Sequence, residues 1–194
     1  VQAVCRQAAT LSHVSNLYYS RPMAELAKLL CEKTGCQKVF FGNSGAEANE
    51  GAIKAARKYS FDHYGKGRST IVSLKNSFHG RTTTTLSATG QEVFHQFFDP
   101  FTEGFVFVEA GDLAAASAAM DETVCGVMVE FIQGEGGVVP LEKEYVQALA
   151  GLCRERDILL IADEVQTGVG RTGTFLAQEQ FGVRADLTTL AKGL

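Results

Sequence analysis

The chain has 194 residues, 45% of them hydrophobic and 21% charged, the balance of a globular protein long enough to bury a core without disulfides or metals. Eighteen Lys and Arg against twenty-two Asp and Glu leave a formal net charge of −4. That excludes global disorder and a nucleic-acid-scale positive field, and no apolar run is long enough to span a bilayer. In chain order, the pattern predicts a helix over Pro22 to Thr34, with Pro22 in its first turn, Gly35 just past its end and Leu26, Leu29 and Leu30 on its apolar face. A short buried strand is expected over Lys38 to Phe41. A second helix follows from Ser44 to about Tyr64, opened by the capping-box pattern Ser44-Gly45-Ala46-Glu47. Strands are expected over Ser69 to Leu74 and Phe105 to Glu109, then an Ala-rich helix over Asp112 to Met120. Val124 to Phe131 reads as a strand, Glu142 to Arg156 as a helix and Ile158 to Ala162 as a strand. A short helix over Phe175 to Phe181 and a strand over Asp186 to Leu190 complete the series. Apolar runs alternating with helical patterns are the mark of an α/β layer fold, and with three prolines and no repeat there is no sign of a linker.

The cysteines Cys5, Cys31, Cys36, Cys125 and Cys153 are odd in number and scattered, so neither a disulfide framework nor a zinc site is expected. Residues 1–6 carry no signal-type apolar run. The expected setting is a reducing cytoplasm, with neither nucleic acid nor membrane as a partner.

In α/β folds, loops at the carboxyl ends of the strands carry the ligand sites. Five places there hold chemistry. Gly42-Asn43-Ser44-Gly45-Ala46-Glu47 leads into a helix whose first N–H groups can hold a phosphate, although a plain capped helix start has the same composition. Ser77-Phe78-His79-Gly80-Arg81-Thr82 sets an aromatic ring beside a guanidinium: Phe78 can stack on a flat heterocycle and Arg81 can fork a carboxylate, or the two are a core residue and a surface charge. His79 by itself reads as a structural, hydrogen-bonding histidine. Glu130 and Glu135 sit in the Gly-rich run Gln133-Gly134-Glu135-Gly136-Gly137, either ordering a cation or an Arg or standing solvated on a loop. Asp163 follows the apolar strand directly. A carboxylate there needs a metal, an Arg or a protonated ring nitrogen, because unpaired burial costs several kcal/mol, on the order of a desolvation penalty. Lys192, between Ala191 and Gly193, suits either a semi-buried amine for Schiff-base chemistry or a snorkelling surface Lys. The run from Gly168 to Gly173 matches G-x-G-x-x-G, but it starts five residues after Asp163 rather than at a strand–helix turn. No phosphate loop ending in Gly-Lys-Ser/Thr is present.

Together these parts supply a phosphate cradle, a stacking ring, a carboxylate for a ring nitrogen and an amine for an imine, the set that pyridoxal phosphate requires. The motifs Asn43-Ser44-Gly45-Ala46-Glu47-Ala48-Asn49-Glu50, Ser77-Phe78-His79-Gly80-Arg81-Thr82, Glu130-Phe131-Ile132-Gln133-Gly134-Glu135-Gly136-Gly137, the stretch from Ala162 to Gly173 and Leu190-Ala191-Lys192-Gly193 carry a family resemblance. In order and spacing, including twenty-nine residues from Asp163 to Lys192, the chain resembles the class III, fold-type I aminotransferases, and within them the acetylornithine branch.

That resemblance implies a fold-type I large domain over 1–194, an α/β/α sandwich with a mostly parallel sheet, truncated, with the family's C-terminal small domain absent. It implies pyridoxal 5'-phosphate as cofactor and Lys192 and Asp163 as catalytic residues. Gly45 and Ala46 would give N–H groups to the phosphate, Phe78 would stack on the ring and Asp163 would pair with the ring nitrogen. Gln166 would bond the phenolic oxygen, with Glu164 and Val165 lining that turn, and Lys192 would hold the cofactor through an imine. Arg81, Glu130 and Glu135 would line the substrate side. Where the family usually has Pro after the first Glu, Phe131 stands here, implying a small local change. The implied reaction moves an amino group from N-acetylornithine or a related diamino acid to 2-oxoglutarate, in arginine biosynthesis, by a homodimer in full-length form. Ornithine- or 4-aminobutyrate-type enzymes and an inactive fragment are the alternatives.

Overall fold

Strands buried on both faces need helices above and below, and the chain supplies them. A computed structural model describes residues 1–15 and 17–194 and divides into two compact units, Val1–Val39 and Phe40–Leu194. In the first, α1 (Gln2–Thr10) buries none of its residues, and no sequence signal marked it. Helix α2 (Arg21–Thr34) has Ser20 as N-cap and Pro in its first turn. It ends on Gly35 at φ 71°, a left-handed cap whose N–H donates to the Cys31 carbonyl.

In the second unit five strands form one sheet in the order β2-β1-β3-β6-β7, every pairing parallel. They are β1 (Thr70–Leu74), β2 (Phe105–Val108), β3 (Val124–Val129), β6 (Leu159–Asp163) and β7 (Leu187–Thr189). Strand β3 is buried at all six positions, as a central parallel strand must be. Ile71, Met128 and Ile161 face one side of the sheet, joined by Cys125 where the register between β1 and β3 slips by one residue, and Ala52, Ile53 and Ala56 of α3 (Gly45–Tyr64) cover them. Val72, Leu74, Val127, Val129, Leu160 and Ala162 take the other face, under α5 (Leu113–Ala119) and α6 (Lys143–Glu155). Each large aliphatic side chain sealed here contributes about 1.5–3 kcal/mol. Helix α4 (Thr83–Ser87), closed by a Thr82–Thr85 capping box, and the antiparallel pair β4 (Ile132–Gln133) and β5 (Val139–Pro140) were not foreseen. Helix α7 (Gln178–Phe181) is shorter than expected. Among the described residues no helix is long and apolar enough to cross a membrane.

The expected strand over residues 38–41 does not form. Phe40 is 75% exposed and lies against the outside of α3 at Gly51. A four-residue apolar run resembles a strand only while its neighbours are unknown, and the sheet is completed without it.

Because the strands are parallel, the loops after β1, β3, β6 and β7 all leave from one end of the sheet. Strand β2 lies on one side of β1 and β3 on the other, so the chain reverses its direction of travel across the sheet at β1, a topological switch point where α/β sheets bind ligands.

Candidate active site

Asp163 is the last residue of β6 and is 4% exposed. A carboxylate in that position must be satisfied by the protein, and three elements converge to do so. Its Oδ2 accepts from Asn49 Nδ2 of α3 at 2.8 Å and from His79 Nδ1 at 2.7 Å, while Oδ1 accepts from the Val165 N–H at 3.1 Å. Asn49 also donates to the His79 carbonyl at 2.7 Å, and the His79 N–H donates to Thr89 Oγ1 at 3.0 Å. Helix α3, the loop after β1 and β6 are thus tied at one buried anion. Burial is the largest influence on the His79 imidazole and lowers its pKa, but the hydrogen bond and charge of Asp163, with the charge of Glu130, outweigh it and the net shift is upward. Asn49 Oδ1 and His79 Nε2, both buried, have no hydrogen-bond partner among the described residues. Sequence reasoning missed Asn49 and set His79 aside as structural. The available signals were an Asn inside a helix, where its propensity is poor, and a His between Phe78 and Arg81.

Ser44 caps α3, its hydroxyl accepting from the Glu47 N–H at 3.2 Å. Glu47 turns back to the Asn43 N–H and side chain rather than to Ser44, so half of the expected capping box is present. The Ala48 N–H begins the helical ladder on the Ser44 carbonyl. The N–H groups of Gly45 and Ala46 keep no acceptor among the described residues, as first-turn donors do unless a ligand takes them. A Cβ on Gly45 would lie 2.8 Å from Val165 Cγ1 and 3.4 Å from Ala191 Cβ. The helix start, the turn after Asp163 and the segment after β7 therefore meet at Gly45.

Phe78 is half-buried and meets Phe94 edge-on, with ring centroids 5.3 Å apart. The exposed Arg81 holds its guanidinium 5.3 Å from the same Phe94 ring. Glu130 is 3% exposed and accepts the Phe78 N–H at 2.9 Å. Burial pushes its pKa up to about 7; His79 lowers it, Asp163 raises it, and N–H groups of Phe78 and Gly134 lower it again. Glu135 is exposed and accepts from Gln166 Nε2 at 3.3 Å.

Glu164 departs from the expectation that it lines the cofactor turn. It is fully buried, and its carboxylate is consumed by the Thr167 hydroxyl at 2.5 Å and the N–H groups of Ala177 and Gln178 at 2.9 Å. Phe131 does more than make a small local change: it is fully buried in the core, its ring 5.2 Å from that of Phe181.

Lys192 is exposed, with φ 46°. Thr189 pairs with Asp163 across β6 and β7, so Lys192 follows the register partner of Asp163 by three residues at the same sheet end. Ala191 packs toward Gly45, and Gly193 lies against Val169.

The model of the family Aminotransferase class-III matches residues 1–194. The acetylornithine aminotransferase of Haemophilus ducreyi is 58% identical over all of this chain and 50% of its own length. Among solved structures, the N-acetylornithine aminotransferase of Stenotrophomonas maltophilia is 37% identical, with TM-score 0.83, over 99% of this chain and 48% of its own. The ornithine aminotransferase of Toxoplasma gondii is 34% identical, with TM-score 0.92, over 97% and 45%, and its crystals hold PLP at partial occupancy in the active site. The chain spans about half the length of the curated relatives it matches.

Proposed function

The chain belongs to the class-III aminotransferases, a family of pyridoxal-phosphate enzymes, and on that premise we propose that it carries the cofactor half of an enzyme transferring an amino group from N-acetylornithine, or a related diamino acid, to 2-oxoglutarate. The acetylornithine aminotransferases at the head of its relatives support this donor. In this reading residues 1–194 belong to the large, cofactor-binding domain of a cytoplasmic homodimer acting in arginine biosynthesis.

The observation that carries the proposal is the buried Asp163 carboxylate, held by Asn49 and His79 at the sheet end where α3 begins with two N–H groups to spare. Those features fit pyridoxal phosphate. Gly45, which has no side chain, and the small Ala46 leave the helix start open to a phosphate, which the helix dipole favours. The Asp163 carboxylate suits a protonated ring nitrogen.

When bound, the cofactor supplies an aromatic electron sink next to the substrate's amine-bearing carbon. The rest falls to this chain. Asp163, held in place by Asn49, His79 and the Val165 N–H, would face the protonated ring nitrogen and stabilise charge as it develops. Phe78 would flank the ring, and Gln166 would hydrogen-bond its phenolic oxygen. Lys192 Nζ would hold the cofactor and would serve as the general base at the substrate carbon. Arg81 binds the α-carboxylate of donor and acceptor, with Glu135 on the substrate side.

Borohydride reduction of the chain after incubation with pyridoxal phosphate tests this. The expected result is a protein that turns yellow with the cofactor, loses the colour on reduction and carries the reduced adduct on Lys192, an adduct lost in Lys192→Ala. No uptake of cofactor, or an adduct on another lysine, overturns the assignment.

A further inference from the structure

We infer that Glu130 is a positioning residue, a latch that ties the loop carrying Phe78 to the loop after β3. The inference rests on the reading of Phe78 as the ring-stacking residue. Three contacts join the two loops. The Glu130 carboxylate accepts the Phe78 N–H at 2.9 Å. Gln133, 3% exposed, donates from Nε2 to the Lys75 carbonyl at 2.8 Å. Gly136 comes so close to the first loop that a Cβ there would stand 2.6 Å from the Asn76 carbonyl oxygen. Two glycine-bearing loops are thus joined by side chains of the second loop that hold backbone atoms of the first, and by one close main-chain approach at Gly136.

The acceptor at the centre is buried, so water competes poorly for it and the bond holds the peptide plane before Phe78 in one orientation. That plane, with χ1, aims the ring. Beyond it, the Phe78 ring has an edge contact with Phe94, the last residue of a short 3-10 helix over Glu92–Phe94. A stacking platform acts only if its orientation is set in advance, and the second loop sets it here. Glu130 is therefore placed to act through Phe78 rather than as an open carboxylate for substrate.

Hydrogen exchange of the cofactor-free chain, resolved at Phe78, tests the latch. In Glu130→Ala the Phe78 amide should exchange about tenfold faster, the effect of one lost hydrogen bond, while Ile71 and Val127 in the sheet keep their rates. Glu130→Gln retains a carbonyl acceptor and should restore most of the protection. After addition of pyridoxal phosphate, Glu130→Ala should bind it with a visible circular-dichroism band about half as strong as that of the unmodified chain, a sign of a loosened ring site. The latch is overturned if Phe78 exchange in Glu130→Ala stays within about twofold of the unmodified chain. It is equally overturned if the sheet amides accelerate as much as Phe78, since Glu130 would then serve only core stability. If the unmodified chain takes up no cofactor, the functional reading falls, and the exchange data still decide the latch.

Discussion

The Nδ1 atom of His79 lies 2.7 Å from Oδ2 of Asp163, with both side chains sealed from solvent. The pair makes the site's electrostatics depend on pH. Burial opposes the imidazolium, yet Asp163 and Glu130 hold the His79 pKa above its ordinary value. A histidine whose pKa is raised by folding contributes stability that is complete below its unfolded pKa, about 6.5, and lost as pH rises through the folded value. His79→Gln should therefore be destabilised relative to the unmodified chain by about 1–3 kcal/mol at pH 6 and by less at pH 9, as denaturant titrations at the two pH values would show. An equal gap at both would mean that His79 does not change its charge between these two pH values.

Glu130 predicts a second pH dependence of the same sign. Its carboxyl, facing His79 and Asp163, is pushed up to about 7 from an ordinary 4.5, chiefly by burial. Between those values the folded chain binds a proton that the unfolded chain has lost, so stability falls as pH rises through that window. Measured against Glu130→Gln, which does not titrate, the unmodified chain should lose about 3 kcal/mol between pH 4.5 and a little above 7. Parallel curves for the two proteins across this range would show that the carboxyl titrates normally.

Most of the sheet was legible because parallel central strands are buried on both faces and read as unbroken apolar runs: Val124 to Val129 and Leu159 to Ala162 leave little choice. Helix ends were legible where a cap has its own chemistry, as at Ser44 and Gly35. Lys38 to Phe41 failed because exposure is not written in a short apolar run. The motif-bearing loops leave the same end of the sheet, but sequence spacing cannot say which way a side chain turns. Asp163 and Glu164 are neighbours on one strand exit, so they face opposite ways, and only one is available at the open end. Asn49 escaped notice, and His79 was read only as structural, because the partner that gives them their role lies 114 and 84 residues away.

Gly45 is expected to tolerate no side chain while Val165 is present. A Cβ would stand 2.8 and 3.1 Å from the two Val165 methyls, and a β-branched residue has no spare rotamer to retreat to. Gly45→Ala should weaken pyridoxal-phosphate binding about tenfold or more, by displacing the helix start from the turn after Asp163, at a cost of about 1–3 kcal/mol in stability. The double variant Gly45→Ala, Val165→Ala removes the obstruction and should recover most of both losses. Cofactor titration by absorbance decides it. A single variant that binds normally would show that the helix start is free to shift.

Glu164 separates stability from catalysis most sharply. It is fully buried, and its two oxygens accept from the Thr167 hydroxyl and from the N–H groups of Ala177 and Gln178 at the start of α7. Those donors have no water to turn to when the carboxylate is removed, and bonds to an ionised acceptor are the stronger kind. Glu164→Ala should therefore lose about 3–5 kcal/mol in denaturant unfolding, the range for breaking one side of a buried charged network. Glu164→Gln keeps one acceptor and introduces a donor facing other donors, so it should recover only part of that loss. Because the side chain does not face the open end of the sheet, cofactor affinity measured well below the melting temperature should change by less than about threefold in Glu164→Gln. A loss of cofactor binding without a loss of stability would return Glu164 to the ligand side of the turn and reverse the division between it and Asp163.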